Sequence, residues 1–334
     1  MEEKCTIVIP TKERKELLLN KLMCYQKLGL RSKIIIVDSS ENSIASELKY
    51  QELDITYIHK ILPARLALLL GYNSTDTEYV CFEGDDDLFV PLTIAYFVEK
   101  LETNRNYVAA VGKGIRVFED ISLKNKLTIG TPIPYPDKKL SLFDKKLRIN
   151  ILKESFFASQ YAITRTNVIN EIVGLYNMSG DRIIEYLHGY LLANEGPIFV
   201  SNKIFRIQYM TTQVYENTWG FISEKNGIVN DLKVFQKQFS NYDLNEVTNF
   251  LFFLRTKRKK WKNNLIGKVH SYYNALKLYK WQRKSEKYLN RIGIKNTSIY
   301  NNKYFLYKFG KVIEKMVRFF YSKLFSRSRR IFNF

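Results

Sequence analysis

Three consecutive aspartates, Asp85, Asp86 and Asp87, lie two residues after the apolar run Tyr79–Phe82. A buried strand that ends in clustered carboxylates brings negative charge to the carboxyl edge of a sheet, and like charges this close repel unless a cation lies among them. A hard divalent ion such as Mg²⁺ or Mn²⁺ takes oxygen ligands and shares its remaining positions with substrate phosphates. The triplet therefore predicts a metal site that handles a diphosphate. The alternative is an Asp-rich loop that caps a helix expected to begin near Leu92.

A second pair of carboxylates, Asp181 and Glu185, lies well downstream. Residues four apart share one face of a helix, and the positive end of the helix dipole favours acidic groups in the first turn. Both side chains could therefore reach one cleft. The alternative interpretation is simple capping of that helix.

Strands and helices alternate through the first part of the chain. Apolar runs typical of buried strands lie at residues 5–9, 33–37, 55–58 and 79–82, and helical spacing at residues 14–28 and 62–73. Continuous apolar strands separated by helices favour a mainly parallel sheet covered on both faces.

Four segments, in this order and spacing, carry a resemblance to a known family: Thr6–Thr11, Val37–Ser40, Arg65–Asn73 and Glu78–Asp87. The chain resembles nucleotide-sugar glycosyltransferases of the GT-A fold, especially the bacterial family 2-like enzymes that build surface glycans. The resemblance implies an α/β, Rossmann-like mixed sheet with helices on both faces over residues 1–250. A basic, aromatic-rich helical extension would follow over residues 251–334.

The resemblance also implies roles for the residues after the first two strands. Pro10, Thr11 and Asp38 would face the nucleotide, with Asp38 near the base or ribose, and Arg65 would belong to the same donor site. From the sequence alone, Asp38 could equally be a turn-forming residue after a strand, because Asp side chains bond their own backbone two residues on.

In the family's D-x-D pattern, Asp85 and Asp87 would hold the divalent ion, Mn²⁺ or Mg²⁺. Asp87 would be the direct ligand and Asp85 a ribose or metal contact, and Asp86 could shift that register by one residue.

By the same resemblance, an acidic residue at the start of the downstream helix would deprotonate the acceptor hydroxyl. Asp181 is the first candidate for this base and Glu185 the second. Where the family has an adjacent Glu-Asp pair, this chain has Gly180-Asp181. The family's pattern then continues through a strand to an arginine, which here would be Arg206. The segment before this helix, with Phe157 and Tyr161, would line the acceptor side, although aromatics in a β run more often belong to the core.

Positive charge is concentrated at the end of the chain. Residues 255–334 hold 23 Lys and Arg against two acids, whereas the rest of the chain is almost neutral. From Tyr304 to Phe325, apolar residues follow helical spacing with lysines and arginines between them, which is typical of a helix on an anionic membrane surface. The alternative is a helical hairpin packed on the catalytic domain. No nucleic-acid reader motif accompanies the charge, so nucleic-acid binding is not expected.

The longest apolar runs are far shorter than the ~20 residues a spanning helix needs, and residues 1–5 lack the features of a signal peptide. We therefore expect a cytoplasmic protein, peripheral at the inner face of the cell membrane.

Cys5, Cys24 and Cys81 lack metal spacing and are expected to be free thiols.

Together these patterns predict a metal-dependent glycosyltransferase that moves a sugar from a nucleotide-diphosphate donor to a glycan or lipid-linked acceptor in surface polysaccharide biosynthesis. A nucleotidyltransferase of related fold is the first alternative, although Pro10-Thr11-Lys12-Glu13-Arg14 lacks the glycine-rich loop of that class. The second is a non-catalytic membrane or polysaccharide adaptor.

Overall fold

The computed structural model describes residues 1–48, 52–120, 126–133, 136–178, 181–210, 225–261 and 297–299. Its strands are β1 (Cys5–Thr11), β2 (Lys33–Asp38), β3 (Ile55–His59), β4 (Tyr79–Phe82), β5 (Asp87–Phe89), β6 (Ala109–Asp120), β7 (Lys126–Pro132), β8 (Ile163–Arg165), β9 (Ile198–Met210) and β10 (Thr297–Ile299). Its helices are α1 (Lys15–Leu28), α2 (Ala64–Asn73), α3 (Pro91–Thr103), α4 (Lys145–Glu154), α5 (Thr166–Ile172), α6 (Asp181–Glu195), α7 (Lys225–Gln238) and α8 (Leu244–Trp261).

The described strands form one mixed sheet. Its main path runs β10-β7-β6-β8-β4-β1-β2-β3, while β9 pairs with β6 and β5. Strands β1, β2, β3 and β4 are parallel, as the alternating pattern predicts, and β8 is antiparallel to both β4 and β6. The predicted mixed α/β sheet is confirmed.

Helices cover both faces because side chains of a buried strand alternate between them. In β1, Ile7 and Ile9 pack with Leu18 and Leu22 of α1, whereas Val8 points to the opposite core beneath α2. Gly71 allows α2 to approach this closely, since a Cβ there would lie 2.2 Å from Val8 Cγ1. The sheet is therefore rigidly held between two apolar layers.

Two elements bear on the expected division of the chain. Helix α8 runs through residue 250, the predicted domain end, and buries Phe250 and Leu254 in the same apolar core as Val8 of β1. Strand β10, which lies beyond residue 250, pairs in parallel with β7 of the sheet. The amphipathic pattern at 304–325 lies outside the described residues, so membrane association of the extension stays a prediction. Within the described helices, none is long and apolar enough to cross a bilayer.

Candidate functional site

The aspartate triplet lies at the carboxyl edge of the sheet, where β1, β2 and β4 all end. After β4 the chain turns through Gly84, whose carbonyl accepts the Asp87 amide over 3.0 Å, and continues directly into β5. The Asp86 carbonyl accepts the Tyr209 amide over 2.8 Å, and β5 pairs with β9. The capping alternative is excluded for α3, because α3 begins at Pro91 after Val90 and has no side-chain cap.

Asp85 contacts the first loop. Its Oδ2 accepts a hydrogen bond from the Thr11 hydroxyl over 3.0 Å, and its Oδ1 forms an ion pair with Arg14, the residue before α1. Thr11 was predicted to belong to this site and lies there. Pro10 precedes it at the end of β1, opposite Val37 in the register with β2.

Asp87 is held by Arg206 of β9, the strand that pairs with β5. Nε and Nη2 of Arg206 each donate to Asp87 over 2.9 Å, and the guanidinium stacks on the Tyr161 ring, 3.3 Å from its centre. Burial disfavours the charge of Arg206, but the charge and hydrogen bonds of Asp87, together with Tyr161 and Asp86, outweigh burial and raise the pKa of the guanidinium. Arg206 therefore stays charged and fixes the orientation of Asp87.

Asp86 lies between the other two carboxylates of the triplet. Burial raises the pKa of its carboxyl to about 6, and the charges of Asp87 and Asp85 add to this, while Arg14 opposes it from 3.9 Å. Oδ1 of Asp86 and Oδ2 of Asp87 each lie 2.9 Å from the position that a Cβ on Gly84 would occupy, so the two carboxylates converge over this glycine.

A buried network of Glu83, Lys21 and Tyr25 contacts the loop that carries the triplet. The Glu83 carboxylate is fully buried, accepts hydrogen bonds from the Tyr25 hydroxyl over 2.5 Å and the Phe89 amide over 2.8 Å, and lies 3.3 Å from Lys21 Nζ. Lys21 also donates to the Gly84 carbonyl. Burial raises the pKa of Glu83 to about 7, although Lys21 and Tyr25 lower it.

Sequence reasoning did not assign this network, although the signal was present. Lys21 lies on the same α1 face as Leu18, Leu22 and Tyr25, the residues whose spacing predicted the helix. A lysine on a buried stripe requires an acidic partner in the core, and Glu83 is that partner.

Asp38 is also buried, and both of its oxygens are occupied. The Ser40 amide donates to Oδ1 over 2.9 Å, which is the turn-forming contact weighed above, and the Tyr57 hydroxyl donates to Oδ2 over 2.6 Å. The Ser39 amide donates to the Thr11 carbonyl over 2.9 Å. Asp38 therefore fixes the loop after β2 to β3, and the Ser39 amide joins that loop to the end of β1.

The remaining predicted residues lie around the start of α6. Arg65 donates to the Tyr176 carbonyl over 3.2 Å rather than to the triplet. Burial is the largest cause that raises the pKa of the Tyr176 hydroxyl, and the charge of Glu185 adds to it, which places Glu185 near this ring. Asp181 is the first residue of α6, but its side chain is outside the described atoms.

Tyr176 also connects this region to the triplet. Its hydroxyl accepts a hydrogen bond from the side-chain amide of Gln160 over 3.2 Å. Gln160 is adjacent in sequence to Tyr161, whose ring stacks on the Arg206 guanidinium. Tyr176, which precedes α6, is thus linked to Asp87 through Gln160, Tyr161 and Arg206.

In the described part of the chain, no three His, Cys, Asp or Glu side chains are already arranged as a metal-binding group. The carboxylates nevertheless fit a divalent ion, because Mg²⁺ needs only one or two of them together with substrate phosphates and water. An ionised carboxylate has about four lone-pair sites, so a contact to arginine leaves others for a metal. Burial and the charges of Asp87 and Asp85 together raise the pKa of Asp86, and a cation bound among the three carboxylates would relieve their repulsion.

Comparison with solved structures identifies the same fold in TarS from S. aureus. The crystal structure of TarS residues 1–349 gives a TM-score of 0.52 at 13% identity and covers 75% of this chain and 70% of TarS 1–349. The complex with UDP gives 0.52 at 15% identity, covering 79% and 76%, and the complex with UDP-GlcNAc gives 0.50 at 16%, covering 75% and 70%. At such identities the likeness establishes the fold. No protein-family model and no curated protein sequence matches this chain.

Proposed function

We propose that this chain is a nucleotide-sugar glycosyltransferase that transfers a sugar from a nucleotide-diphosphate donor to a glycan or lipid-linked acceptor. One observation carries the proposal: the loops after β1 and β2 and the aspartate triplet after β4 meet at one edge of the sheet. Open α/β sheets bind their ligands at this edge. The likeness to TarS, a glycosyltransferase solved with UDP and with UDP-GlcNAc, supports a nucleotide sugar as the ligand.

In this proposal, Thr11 and Asp38 border the nucleotide, and Asp85 and Asp87 hold a divalent ion with Asp86 beside them. The ion, when bound, would neutralise the negative charge that develops on the departing diphosphate. Arg206 and Lys21 keep the carboxylates in place, because one fixes Asp87 and the other fixes the backbone of Gly84.

The reaction requires that the acceptor hydroxyl oxygen bonds to the anomeric carbon while the bond from that carbon to the diphosphate breaks. The hydroxyl proton must then pass to a base within hydrogen-bond reach. We assign this role to Asp181, with Glu185 as the second candidate. Electrostatic attraction of the basic extension to anionic lipid would bring the enzyme to a lipid-linked acceptor.

The test is release of nucleoside diphosphate from a panel of nucleotide sugars, with Mn²⁺ or Mg²⁺ and with EDTA. We expect release to need the ion and to be lost in Asp85→Asn and Asp87→Asn. Asp76→Asn is the matched control, since Asp76 is an exposed carboxylate paired with Lys33 away from the triplet. Release of pyrophosphate from a nucleoside triphosphate instead would indicate a nucleotidyltransferase, and no turnover with any donor would indicate an adaptor.

A further inference from the structure

An exposed apolar cluster lies on the segment that leads into α4. Seven large apolar side chains are strongly exposed in the described part of the chain, and three of them, Leu142, Phe143 and Leu147, lie within six residues of one another. Phe143 is the most exposed of the three, at 69%. Single exposed apolar residues are ordinary, but a cluster of them marks a surface that contacts something apolar.

The protein holds this cluster in place with a buried arginine. Arg148 is 3% exposed and donates to the carbonyls of Leu142 and Phe143 over 2.8 and 2.6 Å and to the Ala193 carbonyl over 2.8 Å. These bonds fix the Leu142–Phe143 backbone to the end of α6. The outward position of Phe143 is thus set by the packed structure.

Lysines surround the apolar cluster. Lys138, Lys139, Lys145 and Lys146 are all exposed and lie within five residues of Phe143. The two aspartates of the segment, Asp137 and Asp144, use a carboxylate oxygen to cap the backbone, accepting the Lys139 and Leu147 amides over 2.8 and 2.9 Å. The segment therefore presents an aromatic and two leucines within a basic border.

We infer that residues 138–147 form a docking surface for an anionic lipid membrane, with Phe143 inserted at the level of the headgroups. The surface matches this partner in both of its components, because apolar side chains enter the acyl boundary and lysines are attracted to anionic lipid. It belongs to the folded catalytic domain and is separate from the basic extension, whose binding to membranes is a different prediction.

The proposed docking surface lies far from the aspartate loop along β9. The Ser141 hydroxyl donates to the carbonyl of Ile198, the first residue of β9, over 2.9 Å, whereas the aspartate loop pairs with β9 at Gln208. Ten residues of strand separate these points by about 30 Å. Phe143 therefore lies far from the aspartate loop along the sheet, and changes at Phe143 should not alter the turnover of soluble donors.

A site-specific reporter tests this inference in the full chain. Cys24 is the exposed cysteine and Cys5 and Cys81 are buried, so Phe143→Cys in a Cys24→Ser background can carry a nitrobenzoxadiazole dye at one position. We expect its emission to rise several-fold with phosphatidylcholine vesicles that contain phosphatidylserine, and to rise less with phosphatidylcholine alone. Leu92→Cys in the same background is the control, because Leu92 is 78% exposed on α3, and its dye should not respond.

A second measurement changes the lysines. Co-sedimentation with the same anionic vesicles should weaken about fivefold for each lysine removed in Lys145→Gln and Lys146→Gln. Lys27→Gln and Lys60→Gln remove exposed charge from other elements and should have a smaller effect.

Three results would overturn the inference. Unchanged emission of the dye at position 143 during vesicle binding would show that another part of the chain enters the membrane. High emission before vesicles are added would mean that another part of the chain covers Phe143, and emission that rises with protein concentration alone would identify a second copy as the partner. Leu142→Cys provides a second reporter if the first variant folds poorly.

Discussion

Arg206 and Asp87 form a two-bond ion pair between β9 and the first residue of β5, with the guanidinium stacked on Tyr161. The aspartate expected to hold a metal is therefore oriented from behind by a cation that is itself almost fully buried. The pair joins residues 119 positions apart in sequence and ties the aspartate loop to β9, the neighbouring strand of the sheet.

This pair predicts that Asp87→Ala destabilises the fold as well as abolishing transfer. Removal of one partner leaves a buried, uncompensated charge, which costs about 3–5 kcal/mol. Urea unfolding measures the free energy, and release of nucleoside diphosphate measures activity.

The double variant Asp87→Leu with Arg206→Met separates the two effects. Apolar residues of similar volume often replace a buried ion pair at little cost, so this protein should be more stable than Asp87→Ala but remain inactive. Normal turnover in Asp87→Ala would contradict the metal site itself.

A second prediction concerns Lys21 and Glu83. The Lys21 side chain is 3% exposed and the Glu83 side chain 0%, so Lys21→Met should lower the free energy of unfolding by about 3–5 kcal/mol. It should also raise the KM for the donor, because Lys21 holds the Gly84 carbonyl within the aspartate loop.

The matched control for this change is Lys33→Met. Lys33 pairs with the exposed Asp76, and surface ion pairs contribute at most about 1 kcal/mol. Equal losses of stability in the two variants would contradict the buried network.

The sequence predicts the first half of this fold well, for an identifiable reason. Strands β1, β2 and β4 are short continuous apolar runs that end in polar residues, so the local pattern predicts the strands and the edge position of the triplet, while the family resemblance added Thr11 and Asp38. Strand β5 could not be found in this way, since its three residues begin inside the acidic triplet and pair with a strand more than a hundred residues away.

The partners of the carboxylates were missed for the same reason. Arg14 precedes α1 and contacts Asp85 across 71 positions of sequence, and Glu83 meets Tyr25 across 58. Periodicity assigns a residue to a face of its own element, but it does not say which side chain of another element will lie opposite. Lys21 shows the exception, because a cation on an apolar stripe already implies a buried acid.

A third prediction addresses the base of the proposed transfer. Asp181→Asn should keep the affinity for the donor and lose about 10²- to 10⁴-fold in turnover, because an amide keeps the shape and cannot accept a proton. Calorimetric titration of the nucleotide sugar measures the affinity, and single-turnover transfer measures the rate.

Glu185→Gln is the paired variant, because Glu185 lies on the same helix near Tyr176. It should retain most of the turnover. A dead Glu185→Gln beside an active Asp181→Asn would reassign the base.

The last prediction concerns the pH dependence of stability through His188 of α6. Its ring is buried in the core, Nδ1 lies 2.8 Å from the Ser159 hydroxyl, and Nε2 has no hydrogen-bond partner among the residues that the structure describes. Burial lowers the pKa of the ring to about 3 from its usual 6.5. Because the unfolded chain takes up this proton near pH 6.5 and the folded chain only near pH 3, the unfolded state binds more protons between these values.

The contribution of His188 to the free energy of unfolding must therefore fall as the pH is lowered from about 6.5, by up to about 1.4 kcal/mol per pH unit. His188→Gln removes the titrating ring and should reduce the loss of stability between pH 7 and pH 5 by about 2 kcal/mol. Ser159→Ala is the control, since it removes the partner of Nδ1 but keeps the buried ring, and its stability should fall with pH as steeply as that of the unchanged chain. Urea unfolding at pH 7, 6 and 5 gives the three slopes, and equal slopes for His188→Gln and the unchanged chain would contradict the assignment of this pH dependence to His188.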